Sequence, residues 1–407
     1  EARLLAYLEQ LKAQYERFGV DVPFYTADGP DLYKQTFGGF PSIWSGLDLR
    51  DHVEDAIAQW RRFQTGFPPL ISEMWGGCAQ QWGGVLPRQK PETVAEHYRE
   101  ALQTGACVNF YMFCGGTSFG FFSGALHAVY RADVPGAKDR YLPFTTSYDT
   151  DALVSEAGNA TEKYRQCRKV LADYRGIPES SLPPIPADAP VQVPGPIDWQ
   201  AAVPVFSRLD TLTSRRAVSG NFRTMESMGQ SYGWILYTTH LLRTDPDSVF
   251  CLHLRGLHDR ADLYLDGQYR GTYYRDHPDP RITFQITGPS VRIDLLVENM
   301  GRIGYGAPML TDRKGILEFA QLDVRNPDGT MMYSKGLITG WENRSLPMHY
   351  PAVDAALRTG TPPVPDGKPQ PRLLRGTFSA VPGVDTFLNF RVPGAAKGCV
   401  WINGFHL

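Results

Sequence analysis

The sequence contains no apolar run that approaches the ~18 residues of a membrane-spanning helix. Its longest apolar stretches, such as 108–114, are of strand length. It has no excess of charge of either sign. Its 41 Lys and Arg stand against 43 Asp and Glu, for a net charge of −2, so the composition offers nothing to a nucleic-acid backbone or an anionic bilayer. Cysteine is scarce: six residues, at 78, 107, 114, 167, 251 and 399, with no Cys-x-x-Cys pair and no Cys/His spacing suited to zinc. They read as reduced thiols, and neither a metal nor an organic cofactor is implied. A chain of 407 residues can bury a sizeable core without disulfide or metal staples. Aromatic residues, by contrast, are abundant: 21 Phe, 20 Tyr and 8 Trp are too many to leave in water, which excludes a disordered chain. They also suit stacking on the CH faces of sugars. The two Asn-x-Ser/Thr matches, at Asn159 and Asn343, are no more than a chain of this length supplies by chance.

The first part of the chain alternates strands and helices. An opening helix, with Leu4, Leu5, Leu8, Leu11 and Tyr15 on one face, stops near Gly19. Strands are expected at 20–27, 40–47, 67–75 and 106–113, and helices at 51–65, 91–104 and 161–174, the second with Pro91 in its first turn. This alternation implies parallel β/α units, in a doubly wound sheet or a barrel. Seven prolines between Pro178 and Pro196 mark a semi-rigid linker. Beyond them the period becomes two, as in Phe250, Leu252, Leu254 and in Ala261, Leu263, Leu265, with a hairpin turn at Asp266-Gly267. This reads as an antiparallel sandwich over roughly 200–350. A second proline-rich patch at 362–371 precedes a further β module, with strands near 386–390 and 398–402. The chain begins without Met inside a helical pattern, and it stops just after an Asn403-Gly404 turn whose return strand is expected to be missing. Both ends read as cut, which leaves a cytoplasmic and a secreted location equally open.

In β/α units the chemistry sits where the strands run out. The residues there are Thr26 and Asp28, Glu73 and Trp75, and Tyr111 and Phe113. Glu73 is the most informative, because it closes an apolar run in which a carboxylate is costly to bury without a role. Two glycines that allow close approach follow shortly after it. It reads either as a catalytic carboxylate or as a structural glutamate paired with an arginine.

Several segments together resemble the β-galactosidases of glycoside hydrolase family 35. They are Ile71-Ser-Glu73-Met-Trp75-Gly-Gly with Trp82-Gly83; Asn109-Phe-Tyr111-Met-Phe-Cys-Gly115-Gly116; and Thr146-Ser-Tyr148-Asp-Thr-Asp151-Ala-Leu-Val-Ser-Glu156, with Lys163-Tyr164 after it. The opening segment Val22-Pro23-Phe-Tyr25-Thr-Ala-Asp28 fits too. So do Asp259-Arg260-Ala261, Glu298-Asn299-Met-Gly301-Arg302, Lys314-Gly315-Ile316 and Trp401-Ile402-Asn403-Gly404. The resemblance runs over nearly the whole chain, in the family's order.

It implies an α/β fold, the C-terminal half of a (β/α)8 TIM barrel followed by antiparallel, galactose-binding-like β-sandwich domains. The implied partition is a partial barrel at 1–178 (strands five to eight), a linker at 179–199, a sandwich at 200–360 and the start of a second at 361–407. It also implies retaining hydrolysis of terminal β-D-galactose, with two carboxyls about 5–5.5 Å apart. Glu73 matches the nucleophile, while the acid/base belongs to a Glu-Asn-Glu-Tyr-Gly motif expected upstream of residue 1, so this chain alone is expected to be inactive. Trp75, Tyr111 and Tyr148 match substrate-binding positions; Asp28 and Glu156 read as structural, and His127 receives no role. Thr150, Cys78 and Cys114 depart from the family's usual residues, so its linkage preference does not carry over. The implied partner is a β-galactoside oligosaccharide or glycoconjugate. The rival readings are a non-hydrolytic sugar-binding protein on the same scaffold and a glycosidase for another β-linked sugar.

Overall fold

The computed structural model describes residues 2–30, 43–127, 140–243, 249–276, 281–363, 367–390 and 397–407. They divide into two compact units, Glu1–Thr117 with Ser147–Pro190, and Ser118–Thr146 with Val191–Leu407.

The first unit opens with α1 (Ala2–Arg17), which ends before Gly19 as its pattern predicts. Leu8 and Leu11 are half-buried, and Tyr15 is exposed. Four strands then form one parallel sheet in sequential order: β1 (Tyr25–Asp28), β2 (Trp44–Leu49), β3 (Leu70–Met74) and β4 (Cys107–Phe110). Each is shorter than its sequence pattern suggests, and the early part of the expected 40–47 strand lies outside the described residues. Flanked on both sides, β2 and β3 are mostly buried, while β1 and β4 alternate between exposed and half-buried. Helix α2 (Val53–Trp60) joins β2 to β3. Its Val53, Ala56, Ile57 and Trp60 recur at helical spacing and cover Leu47, Leu49, Ile71 and Met74 of the sheet. The Trp60 indole N–H donates to the Ser45 carbonyl (2.7 Å), satisfying a polar atom that burial would otherwise penalise. Helix α3 (Pro91–Gln103) joins β3 to β4. It packs through Val94 and Ala95 on Cys167 and Val170 of α4 (Glu162–Arg175), which ends at Gly176 in the left-handed region.

The second unit is built on antiparallel sheets. One has six strands, in the spatial order 215–219, 341–346, 234–242, 290–298, 260–265 and 268–274; the other has four, in the order 281–284, 249–254, 320–325 and 331–337. Their facing sides share one core, which includes Ile235, Tyr237, Leu263 and Leu295 from the first and Phe250, Leu252 and Leu322 from the second. The other side of the six-stranded sheet is also covered. Leu236, Leu296 and Leu346 pack there with Val353 and Leu357 of the helix Tyr350–Leu357. The central strands are therefore apolar on both faces, which is why strict alternation is blurred in their sequence. The Asp266-Gly267 hairpin forms as expected. The Asn403-Gly404 turn also has its return strand: Phe405–His406 pairs with Trp401–Ile402, contrary to the expectation from sequence. The linker is partly tied down, because Val191–Gln192 pairs in parallel with Asp385–Thr386.

A buried charge cluster fastens the second unit. The Lys314 ammonium, fully buried, lies 2.8 Å from the Asp259 carboxylate and 2.9 Å from that of Asp312, and it donates to the Gly301 carbonyl (2.8 Å). Arg275 bridges the same two carboxylates at 2.8 and 3.0 Å. Tyr141 lies against both cations and donates its hydroxyl to the Gly301 carbonyl (2.5 Å). His258, Asp259 and Asp312 converge closely enough to share a cation, and the cation between the two carboxylates is the Lys314 ammonium. Burial opposes ionisation of Asp312, but His258, Lys314 and Arg275 outweigh it and hold its carboxyl below the usual range.

Removing one partner of such a group strands the other charges in a low-dielectric interior. Lys314→Met is therefore expected to cost ~3–5 kcal/mol of unfolding free energy, read by urea denaturation; a loss under ~1 kcal/mol would contradict this. Because the folded pKa of Asp312 is depressed, its contribution is present above the unfolded carboxylate value of about 3.9 and is lost as pH falls below it. The parent's stability should fall on acidification below about pH 4, and a flat profile there would contradict the assignment.

Candidate active site

The C-terminal ends of β1 to β4 come out along one edge of the sheet, because parallel pairing aligns them: Asp28 lies beside Leu47, Asp48 beside Glu73, and Met74 beside Phe110. Between β2 and β3 the register slips by one residue at Leu47/Asp48, so that Ser72 is the extra residue on β3. The slip is held by polar contacts. The Ser72 hydroxyl lies 2.8 Å from the Asp48 carboxylate and 3.2 Å from the Leu47 carbonyl, and Asn109 donates its amide to the Ser72 carbonyl (2.8 Å). The strands approach so closely here that a Cβ on Gly46 would stand 2.5 Å from the Thr26 carbonyl oxygen and collide with Ser72.

Glu73 is half-buried, between Ser72 and Met74, which are buried. The Trp75 indole N–H donates to its carboxylate at 2.9 Å, so its partner is an indole rather than the arginine of the structural alternative. The backbone of Trp75 is pinned to Leu49 (N to O, 3.0 Å), and its ring is 38% exposed. Tyr111 follows β4, with its N–H on the Met74 carbonyl (3.0 Å) and its ring exposed. Tyr148 lies on a short strand, Ser147–Tyr148, that pairs antiparallel with Gly116–Thr117. Its hydroxyl pKa is raised, first by burial, then by its side-chain hydrogen bond with Tyr111, and also by the nearby Cys78 and Glu73. It therefore keeps its proton through the neutral range. All four residues singled out in the sequence thus converge: Trp75 on Glu73, Tyr111 on Tyr148, and Glu73 within electrostatic reach of Tyr148.

The remaining candidates separate. Glu156 is occupied by the Ser147 hydroxyl (2.5 Å) and by that of Thr117. Asp28 closes β1, with one carboxylate oxygen buried and without a hydrogen-bond partner among the described residues. His127 ends the strand Ala125–His127 in the second unit. Sequence reasoning missed Asp48, the carboxylate register-paired with Glu73. Ending the expected strand at 47 placed it outside the element. It also missed Cys78 as a neighbour of Tyr148.

Comparison with known proteins finds similarities along most of the chain. Residues 2–174 match the model of the glycosyl hydrolases family 35, and residues 223–335 that of the first all-beta domain of beta-galactosidase. The chain is 32% identical to a beta-galactosidase of Macaca fascicularis over 98% of its own length and 57% of that protein's. It is 32% identical to one of Homo sapiens (98% and 58%) and 30% identical to one of Xanthomonas manihotis (99% and 61%). The chain therefore spans somewhat over half the length of these curated relatives. By these matches residues 2–174 are similar to the glycosyl hydrolases of family 35, and nearly the whole chain is similar to beta-galactosidases.

Proposed function

We propose that the protein is a retaining β-galactosidase that removes terminal non-reducing β-D-galactose from oligosaccharides or glycoconjugates, with Glu73 as its nucleophile. The observation that carries this reading is the Glu73 carboxylate at the end of a parallel strand, held by the Trp75 indole and within electrostatic reach of Tyr148, itself hydrogen-bonded to Tyr111. In this mechanism a Glu73 oxygen attacks the anomeric carbon from the face opposite the aglycone. The C–O bond to the aglycone breaks, and a galactosyl ester of Glu73 forms. The departing oxygen takes a proton from a second carboxyl. That carboxylate then removes a proton from water, which hydrolyses the ester from the face the aglycone left and so restores the β configuration. The second carboxyl is assigned to the family's Glu-Asn-Glu-Tyr-Gly motif, which residues 1–407 do not contain. Trp75 fixes the orientation of the nucleophile and offers its exposed ring to the sugar. The tyrosine hydroxyls donate to Glu73 or to sugar oxygens. No cofactor takes part.

The same reading places the C-terminal half of a (β/α)8 barrel at 1–178, a linker at 179–199, a β-sandwich at 200–360 and the start of another at 361–407. The sequential parallel order of β1 to β4 with helical connections supports the first of these.

In a full-length protein that carries the acid/base motif, the stereochemistry of azide rescue tests the role of Glu73. Glu73→Ala should lower hydrolysis of an aryl β-galactoside by at least about a thousandfold. Sodium azide should restore turnover by entering the vacated space, yielding the α-galactosyl azide. A β-azide product would make Glu73 the acid/base instead, and unchanged turnover would remove it from catalysis.

Tyr111→Phe deletes the hydroxyl shared with Tyr148. If that hydroxyl acts on Glu73 or the sugar in the transition state, kcat should fall about tenfold or more while KM changes little. Steady-state kinetics within twofold of the parent would make Tyr111 a packing residue.

A further inference from the structure

The two loops that flank this cluster are joined by a side chain to which the proposed mechanism gives no task. Lys163, in the first turn of α4, is 3% exposed. Its ammonium donates to the Gly76 carbonyl (2.7 Å), to the Asp151 carbonyl (2.7 Å) and to the Asp151 carboxylate. An ammonium has three N–H donors, and a buried one must spend them; here all three are spent. Gly76 directly follows Trp75, whose indole holds Glu73. Asp151 lies three residues after Tyr148.

The same two loops press against each other. A Cβ on Gly77 would collide with the Thr150 carbonyl oxygen and stand 2.8 Å from the Asp151 Cβ. Thr150 and Asp151 both sit at φ 55°, a left-handed conformation that a β-branched threonine adopts only when its surroundings hold it there. Asp151 is further fixed by the Gln89 N–H (2.9 Å), and Arg88 lies 3.6 Å from its other oxygen. Loop 147–156 closes on itself, with Asp149 accepting from the N–H groups of Asp151 (3.1 Å) and Glu156 (2.7 Å).

We propose that Lys163 is a positioning residue for the galactosidase chemistry, its ammonium setting the separation between the loop that carries Glu73 and Trp75 and the loop that carries Tyr148. This rests on the function proposed above. Lys163 acts through Gly76 and Asp151 and touches no substrate. Without the ammonium, the Asp151 carboxylate keeps the Gln89 N–H and Arg88, which is 74% exposed, and loses its tie to the Gly76 loop. The loops then relax apart, and the nucleophile and Tyr148 no longer meet the sugar together.

The test compares three variants of the full-length protein, with its acid/base motif, on 2,4-dinitrophenyl β-D-galactopyranoside, whose leaving group needs no proton. Lys163→Met removes the tie. Gly77→Ala pushes the same loops apart with Lys163 in place, and it carries the test if Lys163→Met does not fold. Val170→Ala weakens the hydrophobic cluster under α4, which includes Leu153 of the second loop, and leaves the ties of Lys163 in place. Misplacement by about 1 Å costs of the order of a hundredfold in rate, so kcat should fall about 10- to 100-fold in Lys163→Met and in Gly77→Ala, with KM within about threefold. Val170→Ala should lose thermal stability but keep kcat within about twofold. The positioning role is overturned if folded Lys163→Met or Gly77→Ala turns over at the parent rate, or if Val170→Ala loses as much kcat as they do. A parent that does not turn over the galactoside removes the proposed function, and the positioning role with it.

Discussion

An ammonium taken out of water must spend its three donors on the protein, and each unit of this chain contains one that does. In the first, Lys163 gathers the carbonyls of Gly76 and Asp151 and the Asp151 carboxylate. In the second, Lys314 gathers the Gly301 carbonyl and the carboxylates of Asp259 and Asp312. Neither position would be tolerated by a lysine with an unsatisfied donor. Each therefore dictates where several loops run. The acceptors of Lys163 come from segments 87 and 12 residues away in sequence, so one cation specifies a junction that backbone pairing alone leaves open.

Backbone pairing sets the rest of the site. Four parallel strands in sequential order bring their C-terminal ends to one edge, and a single extra residue on β3 places Glu73 opposite Asp48. The slip is possible because position 46 has no side chain, and Ser72 and Asn109 satisfy the polar groups it leaves exposed to the interior. The close packing of β2 on β3 and the direction of the candidate nucleophile are thus one feature.

Much of this was legible in the residues. Helix α2 shows its buried stripe at helical spacing, α3 shows Pro91 at its first position, and α4 ends at Gly176, so local signals sufficed. Glu73, Trp75, Tyr111 and Tyr148 were found because they sit in distinctive short segments at strand ends. Asp48 was not, because Trp-Ser-Gly-Leu-Asp-Leu neither alternates nor runs apolar, and its strand was expected to end two residues early, at Leu47. Lys163 was noted as part of a resembling segment but given no role, for a different reason. A lysine in the first turn of a polar helix looks solvated, and only the two loops folded over it show otherwise. The tie between 191–192 and 385–386 joins residues nearly half the chain apart, and no local pattern reports it.

What the site's geometry supports is covalent chemistry at one carboxylate: Glu73 is half-buried, oriented by an indole N–H, and within electrostatic reach of the Tyr148 hydroxyl, which stays protonated at neutral pH. Mass-spectrometric mapping after treatment with a 2-deoxy-2-fluoro-β-D-galactosyl fluoride reads that chemistry directly, since the fluorine slows hydrolysis of the glycosyl ester and fluoride leaves without a proton. The account predicts one fluorogalactosyl adduct, on the peptide that contains Glu73. An adduct on Asp28, Asp48 or Glu156 would contradict it.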